Sequence, residues 1–181
     1  MAFFYKTRLR VFFRVKEDSR LNLDSGRPSV NLNRSVPSDT VLSHVRYRSL
    51  DAAIAWLNRA FGFGEHYRYG DPISGAQLHA GHGWIMVKAL PPEARTPGEL
   101  GYGTQSLTIF VDDVEAHCEC ARLAGAVILE EPHETVYGEF QYAAQDLDGH
   151  HWIFSRHARD LSPADWGATL AQPSPLVPGE G

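Results

Sequence analysis

The stretch DAAIAWLNRAFG, residues 51–62, decides how the whole chain is interpreted. Its larger apolar residues recur at intervals of three and four, the spacing of an amphipathic helix, and they are Ile54, Leu57, Ala60 and Phe61. Gly62 follows at the place where a glycine commonly ends a helix, because it adopts the left-handed conformation without strain. The sequence therefore predicts a helix over Asp51–Phe61.

Strand-like segments surround this helix. The run Val41–Tyr47 is rich in β-branched and aromatic residues, which favour a strand. Three further short strands are predicted after the helix, at Glu65–Tyr69, Ala76–Ala80 and Trp84–Lys88. Asp71-Pro72 and Gly81–Gly83 supply turns between them. Residues 41–90 thus form a βαβββ unit.

A second unit of the same order follows a Pro- and Gly-rich linker, residues 91–103. It spans residues 104–157 and contains, in order, a strand at Thr104–Val111, a helix at Asp113–Ala124 and strands at Val127–Glu130, Phe140–Gln145 and Trp152–Ser155. The last strands also match in their letters, since GHGWI at 81–85 corresponds to GHHWI at 149–153. A repeat of this length indicates one α+β domain built from two copies of a unit.

The two ends of the chain differ from this domain. Residues 1–40 hold eight Lys/Arg and four acids, a net charge of +4 in a chain of net charge −5. Such a head could bind anionic partners or act as a transit segment, or it could be a disordered extension. We expect the extension, because residues 21–39 offer no periodic apolar face. The tail, residues 158–181, is predicted to be mostly loop.

Composition excludes several classes of protein. Hydrophobic residues make up 43% and charged residues 22% of the chain, which is ordinary for a globular protein. No apolar run reaches the length that spans a bilayer, and no basic and aromatic stripe indicates nucleic-acid binding. Cys118 and Cys120 are two residues apart in a predicted helix and so point to different faces, which argues against a disulfide between them and favours reduced thiols and a cytoplasmic location.

These motifs resemble the glyoxalase and bleomycin-resistance superfamily, also called the vicinal oxygen chelate superfamily. The resemblance is carried by Asp51–Phe63, by Val111–Ala126 and by the turn Asp146–His150, and it is closest to a PhnB-like branch. It implies that the two units form a curved, incompletely closed mixed sheet with helices on the outer face. Members of the superfamily usually form dimers, and in some of them the two copies share a cavity. The resemblance therefore implies a homodimer.

Enzymes of this superfamily hold a metal ion with four ligands, from the first and fourth strand of each unit. Carried over by position, the first-strand ligands fall on His44 and Ser106, seven residues before Asp51 and Asp113. The late ligands fall on Ile153 and, through the internal repeat, on Ile85. A divalent ion needs three or four converging N, O or S donors, so we expect neither a metal site nor another cofactor.

Six residues are predicted to bind a small organic ligand. The ligand positions implied by the resemblance place His44, Ser106 and Ile153 on the cavity face, and alternation along the strands adds the others to it. The six residues are His44, Arg46, Ser106, Thr108, Phe110 and His151. His44 is either a general base or the remnant of a lost metal site. Arg46 either meets a carboxylate or phosphate of the ligand or forms a salt bridge at the rim. Trp84 and Trp152 are expected to pack under the helices, while the neighbouring Ile85 and Ile153 face the cavity.

Two hypotheses for function follow. The first is metal-independent binding of a small organic molecule in a concave cavity, as in relatives that sequester antibiotics. The second is a metal-dependent lyase, isomerase or dioxygenase with an unconventional set of ligands around His44 and His151. Neither nucleic acid nor a membrane is expected as a partner.

Overall fold

Each half of the chain folds in the βαβββ order that the sequence predicts. The elements are β1 (Ser43–Tyr47), α1 (Leu50–Phe61), β2 (Gly64–Tyr69), β3 (Gly75–Ala80), β4 (Gly83–Ala89), α2 (Pro97–Leu100), β5 (Ser106–Phe110), α3 (Val114–Leu123), β6 (Val127–Glu134), β7 (Glu139–Gln145) and β8 (His151–His157). This computed structural model describes residues 41–170, and the predictions for the basic head and for residues 171–181 lie outside them.

The strands form two mixed sheets of four strands each. Their orders are β1-β4-β3-β2 and β5-β8-β7-β6, so the two units share one topology. The first and last strands of each unit pair in parallel, and the other neighbours pair antiparallel. The α+β class is confirmed, and over residues 41–170 the sheets do not close into a barrel.

The helices begin and end where local chemistry allows. Gly62 ends α1 with φ of 73°, as its position predicts. The Asp113 side chain caps α3 by accepting a hydrogen bond from the Ala116 amide at 2.9 Å. When the two N-caps, Ser49 and Asp113, are matched, each buried position of α3 meets a buried position of α1. The matched residues are Val114, His117, Cys118 and Ala121 in α3, and Leu50, Ala53, Ile54 and Leu57 in α1.

Both units contribute to one hydrophobic core. Each helix covers one face of its own sheet, and the two helices also pack against each other. Trp56 of α1 donates from its indole nitrogen to the Ala124 carbonyl at 2.9 Å. The ring centroids of Phe61 and Trp152 lie 5.7 Å apart. Since the helix-covered faces turn toward this shared core, the opposite face of each sheet, called the open face below, turns away from it.

A buried carboxylate also joins the units. Oδ2 of Asp146 accepts hydrogen bonds from the Tyr47 hydroxyl at 2.7 Å and from the Trp152 indole at 2.9 Å. Oδ1 accepts from the amides of Asp148 and His150 at 3.0 and 2.9 Å. Burial and the neighbouring Asp146 raise the pKa of Tyr47 well above its usual value, so the phenol stays a donor.

The linker contains structure that the sequence analysis does not predict. Thr96 and Glu99 form a reciprocal capping box around α2. The amide of Gly98 donates to the Asp148 carbonyl at 2.9 Å, which fixes the linker on the turn between β7 and β8. Strand β6 is also longer than predicted, because it runs on to Glu134 through a bulged pairing with β7.

The tail is predicted to be mostly loop, and within residues 158–170 it contains one short helical turn. Ser162 caps a short 3-10 turn at Pro163–Trp166, and Trp166 contacts Tyr137 with ring centroids 6.1 Å apart. In the described part of the chain, no helix is both long enough and apolar enough to span a membrane.

Candidate ligand-binding site

The open face of the first sheet carries His44 and Arg46, as alternation along β1 predicts. Both side chains are exposed, whereas Val45 and Tyr47 between and after them are buried in the core. Burial first, then the charges of Lys88 and Arg46, lowers the pKa of His44. The imidazole is therefore neutral at physiological pH and able to accept a proton.

Strand β4 corrects the prediction for Trp84 and Ile85. Ile85 is 4% exposed and belongs to the core under the helices. Met86 and Lys88 pair with His44 and Arg46, so they share the open face, and alternation places Trp84 there too. The half-buried Trp84 contacts His66 and His79, each with ring centroids 5.2 Å away.

The length of the preceding turn explains this error. Strands β3 and β4 are joined by the two residues Gly81 and His82, because Ala80 pairs with Gly83. Strands β7 and β8 are joined by the five residues 146–150, because Gln145 pairs with His151. The two turns differ by three residues, so the segments GHGWI and GHHWI enter their strands three positions apart. Because three is an odd number, matching letters of the two segments lie on opposite faces of their sheets.

The second sheet agrees with the prediction. Ser106, Thr108 and Phe110 of β5 are exposed on the open face, and Phe110 has 59% of its surface accessible. His151 and Ile153 of β8 pair with Ser106 and Thr108 and lie on the same face. Trp152 is fully buried in the core, where its indole is bonded to Asp146.

Two of the six predicted residues meet in a cleft of about 200 Å³ between the units. Arg46 of β1 and His151 of β8 line it, together with Arg95, Thr104 and Gln105 of the linker region. His44, Ser106, Thr108 and Phe110 lie outside it on the open faces. The structure therefore brings together Arg46 and His151 in the cleft, and the other four lie outside it.

Hydrogen bonds position the two residues in the cleft. The guanidinium of Arg46 donates to the Ala89 carbonyl at 3.1 Å, and His150 contacts the Arg46 carbonyl through Nε2 at 2.8 Å. Nε2 of His151 contacts the amide nitrogen of Gln145 at 2.9 Å. The Arg46 side chain makes no salt bridge within residues 41–170, so the rim salt bridge considered for it is not found there.

Arg95 was not predicted, because it lies outside any periodic segment and no pattern indicates which way its side chain points. Gln105 lies in the predicted strand Thr104–Val111, where alternation points it to the face opposite Ser106, but the strand begins only at Ser106 and Gln105 lines the cleft. The Thr-x-x-Glu spacing at 96–99 is a readable helix-start signal, and it would have indicated an ordered linker beside the second unit.

The residues present do not fit a divalent metal ion. Matching His44 to Ser106 also matches Arg46 to Thr108, two residues further along each strand. Lys88 pairs with Arg46, and Ile153 pairs with Thr108, so Lys88 corresponds to Ile153. The four positions that correspond to the expected ligands are then His44, Lys88, Ser106 and Ile153. Among residues 41–170, no three His, Cys, Asp or Glu side chains are grouped so that they could hold a metal ion.

His117 is a titratable residue that belongs to the core and not to this site. Its Nδ1 accepts from the Tyr142 hydroxyl at 2.7 Å when the proton is on Nε2, which faces the Phe61 carbonyl at 3.4 Å. Burial lowers the pKa of His117 to about 4, against a weaker raising effect of that carbonyl. Tyr142, whose direction the sequence left open, is fully buried.

Fold and sequence together define the class. The chain belongs to the Glyoxalase/Bleomycin resistance protein/Dioxygenase superfamily, whose sequence profile matches residues 39–154. Among solved structures it is similar to TioX from Micromonospora sp. ML1, with 31% identity and a TM-score of 0.55 over 66% of this chain and 99% of that one.

Two more distant structures share the fold. A glyoxalase/bleomycin resistance protein/dioxygenase family enzyme from Burkholderia phytofirmans PsJN is 20% identical, with a TM-score of 0.50 over 63% of this chain and 94% of that one. A glyoxalase I mutant from Zea mays is 21% identical, with a TM-score of 0.55 over 65% of this chain and 44% of that one. No curated protein matches the sequence.

Proposed function

We propose that this chain binds a small organic molecule on the open faces of its sheets without using a metal ion. Proteins of its superfamily commonly bind small ligands. One observation carries the metal-independent part of the proposal, namely the side chains at the four ligand positions. Only His44 is a normal ligand for a divalent ion, while Lys88 brings a positive charge and Ile153 brings no donor.

This argument holds for one copy or for two. If a cavity is shared between copies, the first unit of one chain and the second unit of its partner still supply the same four types of residue. No carboxylate lies at Trp84, Met86 or Lys88 on the open face of β4, whichever of these is matched to Ile153. Pairing of two copies therefore adds no missing ligand at these positions.

The remaining open-face residues suit an organic ligand. Binding sites for such molecules are mostly apolar with a few placed polar groups. Trp84 and Phe110 supply aromatic walls, and the polar groups are those of His44, Arg46, Ser106, Thr108 and His151. The lowered pKa of His44 supports a role as proton acceptor, which is the catalytic role considered for it.

We further propose that two copies pair and cover these faces. In one chain the open faces turn away from the core, and they expose large apolar side chains such as Phe110 and Tyr69, at 59% and 40%. A second copy that covers them would convert two exposed faces into an enclosed cavity. Light scattering at micromolar concentration should then give twice the 20.2 kDa mass of one chain.

A pair of variants tests this arrangement. Phe110→Asp places a charge on the open face and should shift the mass toward that of one chain. Leu123→Asp is the matched control, since Leu123 is 86% exposed on α3, and it should leave the mass unchanged. A monomeric wild-type protein, or equal effects of both variants, would contradict pairing through the open faces.

Two finer proposals complete this view. The free thiols of Cys118 and Cys120 support a cytoplasmic location, because such thiols persist under reducing conditions. The PhnB-like branch typically has a Gly-His-x-Trp sequence at its last strand and a Trp-Gly pair in its tail. The Gly149–Trp152 segment and the Trp166-Gly167 pair resemble these two features and support membership of that branch.

The binding proposal is tested by a thermal-shift screen of antibiotics and small organic acids on protein purified without an affinity tag. A ligand that binds only the folded state raises the free energy of unfolding by about 2.7 kcal/mol at a hundredfold excess over Kd, and it therefore raises the unfolding temperature. We expect the shift to persist after treatment with a chelator. A stoichiometric metal ion that is lost in His44→Ala would overturn metal independence and favour the enzyme hypothesis instead.

A further inference from the structure

Arginines without carboxylate partners are concentrated in the cleft between the units. Residues 41–170 contain eight arginines, of which Arg48, Arg68, Arg122, Arg156 and Arg159 form ion pairs. The three that form none are Arg46, Arg59 and Arg95, and two of these three line the cleft. This is notable in a chain of 22 acids and 17 Lys/Arg, where carboxylates outnumber their partners.

The free arginines of the cleft retain unused donors. Arg46 donates to one backbone carbonyl, of Ala89, and Arg95 donates to one backbone carbonyl, of Glu99. A guanidinium has five N–H donors, so each side chain has several left for another acceptor. The acid near Arg95 is Glu99, and its carboxylate is already held by Arg48 at 2.6 Å and by the Thr96 amide at 2.8 Å.

The rest of the cleft is compatible with an anion. No Asp or Glu lines it among the described residues, whereas Thr104, Gln105 and His151 add polar groups. Lys88, which pairs with Arg46 across β1 and β4, adds a further positive charge on the same face. Its field reaches beyond its own strand position, since Lys88 and Arg46 both lower the pKa of His44.

Size limits what the cleft can hold. Its volume of about 200 Å³ is smaller than the roughly 300–1,000 Å³ of sites that enclose a whole drug-sized ligand. A carboxylate or phosphate group is small enough to fit. Two guanidinium groups also match the planar, bidentate geometry in which arginine binds such oxyanions.

We infer that this cleft is an oxyanion subsite, in which Arg46 and Arg95 bind the carboxylate or phosphate group of the ligand. The inference rests on the proposed function for the identity of that ligand as an organic molecule. It also assigns a role to the linker, because Arg95 lines the cleft from a segment that Gly98 bonds to the turn between β7 and β8.

The test uses inorganic phosphate, benzoate and the neutral analogue benzamide, with binding followed in nuclear magnetic resonance spectra of the full chain. Phosphate and benzoate should shift the backbone amide signals of Gln105 and His151 in a saturable way, and benzamide should not. Arg46→Gln and Arg95→Gln should each weaken anion binding by about tenfold or more, the loss expected for a charge-assisted hydrogen bond. The stronger of the two anions indicates whether a carboxylate or a phosphate is the natural group.

Arg59→Gln is the matched control, because Arg59 is exposed on α1, forms no ion pair in the described chain and lies outside the cleft. It removes the same charge and should leave anion binding unchanged. Because Arg46 and Arg95 are both exposed, their variants should keep the wild-type unfolding temperature, which excludes loss of fold as the cause.

Different results would separate this inference from the proposed function. The inference is overturned if both cleft variants bind the anions as wild type does, or if benzamide shifts the same signals as benzoate. If the ligand screen yields a neutral molecule whose affinity is unchanged in Arg46→Gln, the proposed function stands and the oxyanion subsite fails. If the anion results hold and the screen yields no organic ligand, the subsite stands and the proposed function fails.

Discussion

The two units share their core but differ on their open faces. All four buried positions of α3 have a buried counterpart in α1, and the strand orders are identical. The last strands, in contrast, present Trp84, Met86 and Lys88 in the first unit, and His151 and Ile153 in the second. The comparison teaches that the repeat specifies the fold, while the length of one turn decides which residues reach the open face.

The largest expected effect distinguishes the two tryptophans. Trp152→Ala should destabilise the protein by about 4 kcal/mol, because it empties a fully buried site and leaves Asp146 with one donor fewer. Trp84→Ala, on the open face, should cost less than about half of that. Chemical denaturation of both variants measures the difference, and equal losses would show that the two tryptophans occupy equivalent places.

This pair also shows how far sequence reasoning reaches. The helices, most strands and the repeat follow from apolar spacing and glycine positions, and the open-face residues of β1 and β5 follow from alternation. The face of β4 does not follow, since the letters GHGWI and GHHWI suggest equal registers while turns of two and five residues impose different ones. The cleft was also beyond prediction, because Arg95 lies in a segment without periodicity.

The next effect concerns the contact between the linker and the second unit. Gly149 has φ of 84°, and an added Cβ would lie 2.6 Å from the Gly98 Cα. Gly149→Ala should therefore cost about 3 kcal/mol, combining left-handed strain with a backbone clash. Gly125→Ala is the control, since its φ is 90° but no atom lies within 4 Å, and it should cost about 1 kcal/mol.

Thermal and chemical unfolding of the two glycine variants provide the measurement. If α2 is released from the turn between β7 and β8, Gly149→Ala should also weaken anion binding in the cleft. Equal losses in the two variants would mean that the Gly98–Gly149 contact contributes nothing to stability.

A third effect is a dependence on pH from a buried histidine in the second unit, where the first unit has an alanine. His117 occupies the helix position at which α1 has Ala53, and its pKa is about 4 in the folded protein against 6.5 in the unfolded chain. Below pH 6.5 the unfolded chain binds a proton that the folded protein refuses. Stability should therefore fall by about 2 kcal/mol between pH 7.5 and pH 5, and this loss should level off below pH 4.

The variant His117→Gln removes this proton uptake and should flatten that part of the profile, whatever its own cost at pH 7.5. His82→Gln, which alters an exposed histidine in the turn between β3 and β4, should leave the slope unchanged. Urea unfolding at four or five pH values gives both slopes. A slope that survives in His117→Gln would assign the acid sensitivity to another group.

The smallest effect tests the buried carboxylate that joins the units. Tyr47→Phe removes one donor to Asp146 and should cost about 1.5 kcal/mol, the lower range for a hydrogen bond to a charged group, since the Trp152 indole still satisfies the same oxygen. Tyr137→Phe removes a half-exposed bond to the neutral Gln141 and should cost about 0.5 kcal/mol. Because Asp146 lies in the five-residue turn and the two-residue turn of the first unit has no acid, this bond exists on one side only. If both variants lose the same stability, the bond to the Asp146 carboxylate contributes no more than the bond to the neutral Gln141 amide.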